Sequence, residues 1–426
     1  MYTSHMPWNG PKVLPLRERA GLVNDILSDR LDTILPAIMR EADIDTWVIV
    51  CNEDNLDPVF RTMIPWESWT PILQIVVLHD AGDGKGVERL NISRTNMAGL
   101  MEGLWEQEWH GEQDQWACLR RVLDERDPKR IGVNVSDVIW AADGLTVALN
   151  DRLRETLGPE LSSRIVSAEP LAIRWLETRL PRELELYHQA CAIAHELIRE
   201  TFSRRVVTPG RTTTADLRWH YWQRSTDLGL PVSFTPFFRR FRGKPNVAKW
   251  GEDDAVIRHG DMLHCDVGVE YLRIITDHQE LAYVLNPGEE DAPAGLRDGM
   301  KQAGRLQDIF TGAWQLGLTG NEILANALAQ ARSEGLSKPK IYSHSLSHYL
   351  HEPGPLMGLP WEQECCPGRG DVVMNYDTAY TVELSVTVSE PAWGGEEVRM
   401  PMEQDAAFTA DGPVFLDGRQ TEFHLI

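Results

Sequence analysis

The chain has 426 residues, 42% of them hydrophobic and 25% charged, with 42 Lys and Arg against 64 Asp and Glu, so its formal net charge is −22 at pH 7. That length exceeds what one hydrophobic core usually holds, so two domains are expected and a small disulfide-stapled product is excluded. The acidic balance repels phosphate backbones and anionic lipid headgroups, which argues against nucleic-acid or membrane partners and favours cations.

The opening residues, MYTSHMPWNGPKVLPLRERAG, carry no apolar run to serve as a signal-peptide core, and nowhere does a stretch of about 18 apolar residues occur. Neither export by that route nor a membrane span is expected. Asn24 to Glu41 has a helical stripe of Ile26, Leu27, Leu31, Ile34, Leu35, Ile38 and Met39. Strands are predicted at Thr46 to Cys51, Ile72 to Leu78 and Arg130 to Val135, followed by a helix near Ala141 to Leu157. This alternation reads as an α/β domain with a mixed sheet, residues 1–177. Trp105, Trp109 and Trp116, and Trp66 and Trp69 in PWESW, are read as packing residues. A long helix is predicted over residues 179–202, marked by Pro181 and acidic Glu183 and Glu185, and Thr213 or Thr214 caps the next. Residues 178–426 are read as the second domain, in which the chain from Ala255 to the end is mostly strand pairs and turns, interrupted by one helical stretch from about Gly295 to Glu334. The six cysteines (Cys51, Cys118, Cys191, Cys265, Cys365 and Cys366) contain no C-x-x-C and read as reduced thiols, which fits the cytoplasm.

The chemistry concentrates in carboxylate pairs. In MLHCDVGVEYLRIITDHQELAYVL, a hairpin folded about Tyr271-Leu272 would make Asp266 and Asp277 cross-strand neighbours, about 5 Å apart. Two like charges that close call for a cation between them, unless the turn lies elsewhere and both are solvated. Farther on, Val382, Leu384, Val386 and Val388 share one strand face and Glu383, Ser385 and Thr387 the other. Trp393-Gly394-Gly395 lies midway between Glu383 and Glu403, so these too would oppose each other across a turn. Between the pairs, IYSHSLSHYLHEPGP holds His344, His348 and His351. No Glu follows the first of them and Pro353-Gly354-Pro355 closes the segment, so a loop or strand supplying one imidazole is expected rather than a zincin-type helix. Four carboxylates and one His form a hard site suited to paired Mn, Co, Fe or Zn, and two divalent ions would neutralise the four charges.

The order Asp, Asp, His, Glu, Glu resembles the superfamily of methionine aminopeptidase, aminopeptidase P, prolidase and creatinase, most nearly its Xaa-Pro peptidase branch. Asp266-Val-Gly268 with Asp277 eleven residues after the first Asp, SHSLSHYLHEP, TVEL, and RMPMEQDAAFTADG carry the likeness. It implies an α+β pita-bread catalytic domain behind a creatinase-like N-terminal domain. It implies as metal ligands Asp266, Asp277, His344, Glu383 and Glu403, binding two divalent ions with manganese preferred. Glu383 would also move the proton, and His351 would donate a hydrogen bond to the substrate carbonyl. The implied activity is hydrolysis of the amide bond before proline in small peptides, by a cytoplasmic homodimer. Three departures stand out. Lys249 occupies the place, about 17 residues before Asp266, where prolidase-type enzymes usually carry a histidine. Arg399 is four residues from Glu403, not two. HSLSH also permits a register in which His348 is the ligand, though Pro355 then takes the place of the second histidine. A non-peptide C–N hydrolase or lyase on the same centre, and a metal-free binding module of the same fold, are the rival readings.

Overall fold

The structure is a computed structural model that describes residues 7–82, 84, 86–105 and 114–426; Trp109 lies outside them. The chain packs as two compact units, Leu14–Leu180 and, for the rest, Pro181–Ile426 with the described residues up to Val13. The sequence-based division at residue 177 falls just before the chain passes into the helix that starts at Pro181.

In the unit formed by Leu14–Leu180, helix α1 (Leu16–Glu41) buries the predicted stripe, including Leu27, Leu31, Leu35 and Ile38. The sheet is mixed and six-stranded. It comprises β1 (Thr46–Asn52), β2 (Leu73–Asp80), β3 (Val87–Asn91), β4 (Glu102–Gly103), β5 (Ile131–Val133) and β6 (Ile165–Ser167), in the order β4-β3-β2-β1-β5-β6. The near-continuous apolar run of β1 follows from its central place between antiparallel β2 and parallel β5. The helix expected near Ala141 starts later, at Val147, where Thr146 accepts a hydrogen bond from the Leu149 amide. Trp116 is buried in the core and Trp105 packs against it, whereas Trp69 is exposed and takes no part in that core.

The second unit begins with α2 (Pro181–Thr201) and α3 (Thr214–Asp227), the latter closed by a capping box of Thr213 and Asp216. Next come β7 (Phe237–Phe241), a short helix α4 (Lys244–Trp250) and β8 (Met262–Val267). The predicted hairpin exists, but its turn is at Leu272-Arg273, not Tyr271-Leu272. Short strands β9 (Glu270–Tyr271) and β10 (Ile274–Ile275) pair across it, and Leu272 and Arg273 have φ of 58° and 62°. Two successive left-handed residues are what a two-residue hairpin loop demands. Leucine and arginine do not advertise that conformation, which is why the sequence misplaced the turn. As a result β8 pairs with β11 (His278–Tyr283) so that Asp266 faces Gln279.

The single helical stretch expected from Gly295 to Glu334 is two helices, α5 (Ala294–Gly312) and α6 (Gly320–Ser333). Left-handed Gly317 and a second capping box, Thr319 with Glu322, break it. After β12 (Lys340–Tyr342), a long ribbon runs out through β13 (Thr378–Thr381) and β14 (Glu383–Glu390) and returns through β15 (Glu396–Met402) and β16 (Asp405–Thr409). Thr378 faces Phe408 at one end and Glu390 faces Glu396 at the other, so one register holds along the whole ribbon. Helices α5 and α6 lie on its apolar face, where Leu306, Phe310, Ile323 and Leu324 pack with Val382, Leu384, Val386 and Met400. Among the described residues no helix is long and apolar enough to cross a membrane.

The glycine of Asp266-Val-Gly268 is needed for space. A Cβ there would stand 1.8 Å from the Thr276 carbonyl oxygen and 2.8 Å from Ser233 Oγ. Gly268→Ala should therefore lower the urea midpoint by an amount equivalent to at least about 1–3 kcal/mol, the usual cost of overpacking. An unchanged midpoint would contradict this close approach.

Candidate metal centre

Where the strands of the second unit meet, register partners line up in one row. Asp266 on β8 faces Gln279 on β11. Gln279 in turn bridges to Glu403, their amides and carbonyls exchanging two 3.0 Å hydrogen bonds. The β14–β15 register, with Leu384 opposite Met402, sets Glu383 opposite Glu403, and Tyr342 of β12 faces Glu383. Opposed residues project from the same face of a sheet, so these side chains converge. Asp277 precedes Gln279 by two residues and His344 follows Tyr342 by two, which adds both to the group. Donor atoms of Asp277, His344 and Glu403 lie within 4.8 Å of one another, all three residues buried. Asp266 and Asp277 thus meet diagonally, not as the direct cross-strand pair expected from the sequence, whereas Glu383 and Glu403 oppose each other as expected.

Burial and crowding dominate the electrostatics. The Asp277 and Glu403 carboxyls are both held well above the ordinary range, first by burial and then by the carboxylates around them. Burial pushes Asp266 up to about 6, against the pull of Arg239. It pushes Glu383 up to about 8, where a hydrogen bond from Gln279 opposes it and Asp266 adds to it. Asp277 Oδ1 and Glu403 Oε1 are buried without a hydrogen-bond partner. Orphaned acceptors among like charges are what a divalent cation relieves, and an oxygen-rich set with one imidazole suits a hard or borderline ion.

The structure also separates the three histidines. His344 is buried, with Nδ1 3.2 Å from the Ser345 carbonyl oxygen and Nε2 3.9 Å from Asp277 Oδ2. Burial, then the neighbouring His351, depress its pKa well below that of free imidazole. A neutral ring donating from Nδ1 leaves the Nε2 lone pair facing the carboxylates. His351 is exposed, its ring edge-on to His344 with centroids 4.5 Å apart. His348 turns Nδ1 toward the Arg273 carbonyl oxygen, 3.2 Å away.

Gln279 escaped the sequence reading. Its Nε2 donates to Glu383 Oε1 at 2.9 Å and to Glu403 Oε2 at 2.7 Å. Its orientation is set by His264, which burial holds neutral with a pKa near about 3 and whose Nε2 lies 2.8 Å from Gln279 Oε1. A neutral His264 donating from Nε2 turns the amide nitrogen toward the glutamates. The signal was present in the two-residue spacing from Asp277, which puts both side chains on one strand face. Lys249 is exposed at the end of α4, its ammonium 4.7 Å from the centroid of the Trp250 ring.

Metallopeptidase family M24 matches residues 185–400, half of the chain. No curated protein matches it in sequence. Among solved structures it is similar to the X-Pro aminopeptidase from Thermotoga maritima MSB8, with a TM-score of 0.62 and 16% identity over 92% of this chain and 100% of that one. The Xaa-Pro dipeptidase from Bacillus anthracis matches with a TM-score of 0.58 and 17% identity, over 96% and 100%. The prolidase from Pyrococcus horikoshii OT3 gives 0.56 and 14%, over 95% and 99%. At such identities these structures establish the shared fold.

The raised carboxyls set a pH dependence for chelator-treated protein. A group whose pKa is raised by folding stabilises the fold below its unfolded value and loses that contribution as pH climbs through the folded value. Between about pH 7 and 9 the depressed histidines are largely neutral whether folded or not, and the buried thiols of Cys51, Cys191 and Cys265, also raised by folding, act in the same direction as the carboxyls. The urea midpoint should therefore fall across that window, with the ionisation of Glu383 at about 8 contributing, and saturating manganese should lessen the fall. A flat profile would contradict the crowding.

Proposed function

The chain belongs to metallopeptidase family M24, and from that premise we propose that it is an Xaa-Pro peptidase whose centre takes two divalent cations. Manganese is the preferred ion, with cobalt, zinc or iron as alternatives. One observation carries the reading: Asp277, His344 and Glu403, from distant parts of the chain, bring donor atoms within 4.8 Å. Asp266, Asp277, His344, Glu383 and Glu403 would hold the ions. When bound, the ions would supply Lewis-acid polarisation of the scissile carbonyl.

The chain's own groups account for the rest. Glu383 Oε1 accepts from Gln279, so Oε2 is the oxygen left to take a proton from the attacking water and return it to the departing nitrogen. His351, exposed and edge-on to His344, would donate a hydrogen bond to the substrate carbonyl as charge develops on it. A small peptide is the proposed substrate, and a homodimer the proposed assembly. The six cysteines are free, in keeping with a cytoplasmic location.

Manganese-loaded protein should cleave Xaa-Pro dipeptides or longer Xaa-Pro peptides. Asp277→Asn or Glu403→Gln should lower kcat/KM at least about a thousandfold, equivalent to about 4 kcal/mol, while the protein stays folded by circular dichroism. His351→Ala should lower kcat by about a hundredfold to a thousandfold. Unchanged turnover in the first two variants would overturn the site assignment. The Gln279 amide shared by Glu383 and Glu403 and the exposed Lys249 favour a second reading, a non-peptide C–N hydrolase or lyase on the same centre. Metal-loaded protein inert toward every Xaa-Pro peptide would select it. Protein that cannot be loaded at all would select a metal-free binding role.

A further inference from the structure

A second group of ligand-type side chains lies behind the first and takes no part in the chemistry above. Cys191 on α2, His278 on β11 and Asp405 on β16 are each fully enclosed, and one donor atom from each lies within 4.8 Å of the other two. Three separate elements therefore deliver a thiol, an imidazole and a carboxylate to one point. His278 sits between Asp277 and Gln279, so strand alternation turns its ring to the face opposite theirs.

Three of the group's polar atoms are left unsatisfied. Neither ring nitrogen of His278 has a hydrogen-bond partner, nor does Asp405 Oδ1. The nearest aromatic neighbour of the ring is His195, edge-on at 4.4 Å between centroids, which offers no hydrogen bond to either nitrogen. Buried polar groups are nearly always paired, so a cation that takes up these atoms is the economical explanation. The separation of donors fits a cation. Cys191 Sγ stands 3.5 Å from Asp405 Oδ2. Sulfur and oxygen bound tetrahedrally to zinc, at about 2.3 Å and 2.0 Å, lie about 3.5 Å apart. A thiolate and a carboxylate would neutralise one divalent ion.

We propose that Cys191, His278 and Asp405 form a separate buried site for a zinc-like cation. A soft thiolate and an imidazole beside a single carboxylate favour zinc over manganese. The site would tie α2, β11 and β16 together. It would also place Asp277, whose backbone N–H donates to Asp405 Oδ2 at 3.2 Å. These are positioning roles. The assignment does not rest on the peptidase reading, since none of its three residues is used there. Complete burial implies that the ion enters during folding and leaves slowly, unlike ions in the partly open carboxylate centre.

Cobalt reports on such a site, because only a thiolate ligand gives an intense near-ultraviolet charge-transfer band and the carboxylate centre has none. Untagged protein produced in cobalt-supplemented medium and dialysed against EDTA should keep about one cobalt per chain and show that band. Asp277→Asn should retain both the cobalt and the band, while Cys191→Ser should lose both. No band in the unsubstituted protein would overturn the proposal without recourse to any variant. A band that persists in Cys191→Ser would overturn it too, by assigning the thiolate to another cysteine. Unsubstituted protein that shows the band but, once saturated with manganese, cleaves no Xaa-Pro peptide would count against the peptidase reading and leave this site standing.

Discussion

Mutual repulsion among buried carboxylates is the constraint on which the rest of the second unit depends. Asp277 and Glu403 are almost wholly enclosed, at 5% and 1% exposure, and Asp266 and Glu383 crowd them from the more open side. Burying ionised carboxylates together costs far more than any single hydrogen bond returns, so the cluster demands either protons or cations. The raised pKa values are the proton answer. The orphaned oxygens and the neutral, aligned His344 indicate that the cation answer is the functional one.

The scaffold delivers these groups through register more than through side-chain packing. A single register along the 378–409 ribbon brings Glu383 and Glu403 together, and one bridge from Gln279 to Glu403 splices that ribbon to the β8–β11 hairpin. Helices α5 and α6 cover the opposite, apolar face and hold the ribbon flat against slippage. Gln279 then acts as an internal donor among the acids, oriented from behind by His264. Its amide supplies two N–H groups but no formal charge, so it eases the repulsion without removing it.

Much of this was legible in the sequence because strand alternation and turn symmetry are local rules. Val382, Leu384, Val386 and Val388 announced the buried face, and the Gly394-Gly395 reversal located the Glu383–Glu403 pair correctly. The Asp266–Asp277 pair was misjudged because Leu272 and Arg273 adopt left-handed conformations that their side chains do not signal. That slip of two residues still kept Asp277 on the right face, since side chains alternate with a period of two. The family resemblance, carried by short motifs in the right order, supplied the fold and the choice of His344. What the sequence could not convey was how residues from different strands would pair, so Gln279, His264 and the Cys191–His278–Asp405 group went unnoticed.

The most direct test is a crystal structure of the protein grown with manganese, with anomalous diffraction recorded on both sides of the manganese edge. The account predicts an edge-dependent peak coordinated by Asp277, His344 and Glu403, with a second peak toward Asp266 and Glu383. Manganese-saturated crystals with no peak there, and with Gln279 still bridging Glu383 and Glu403 over protonated carboxyls, would contradict it.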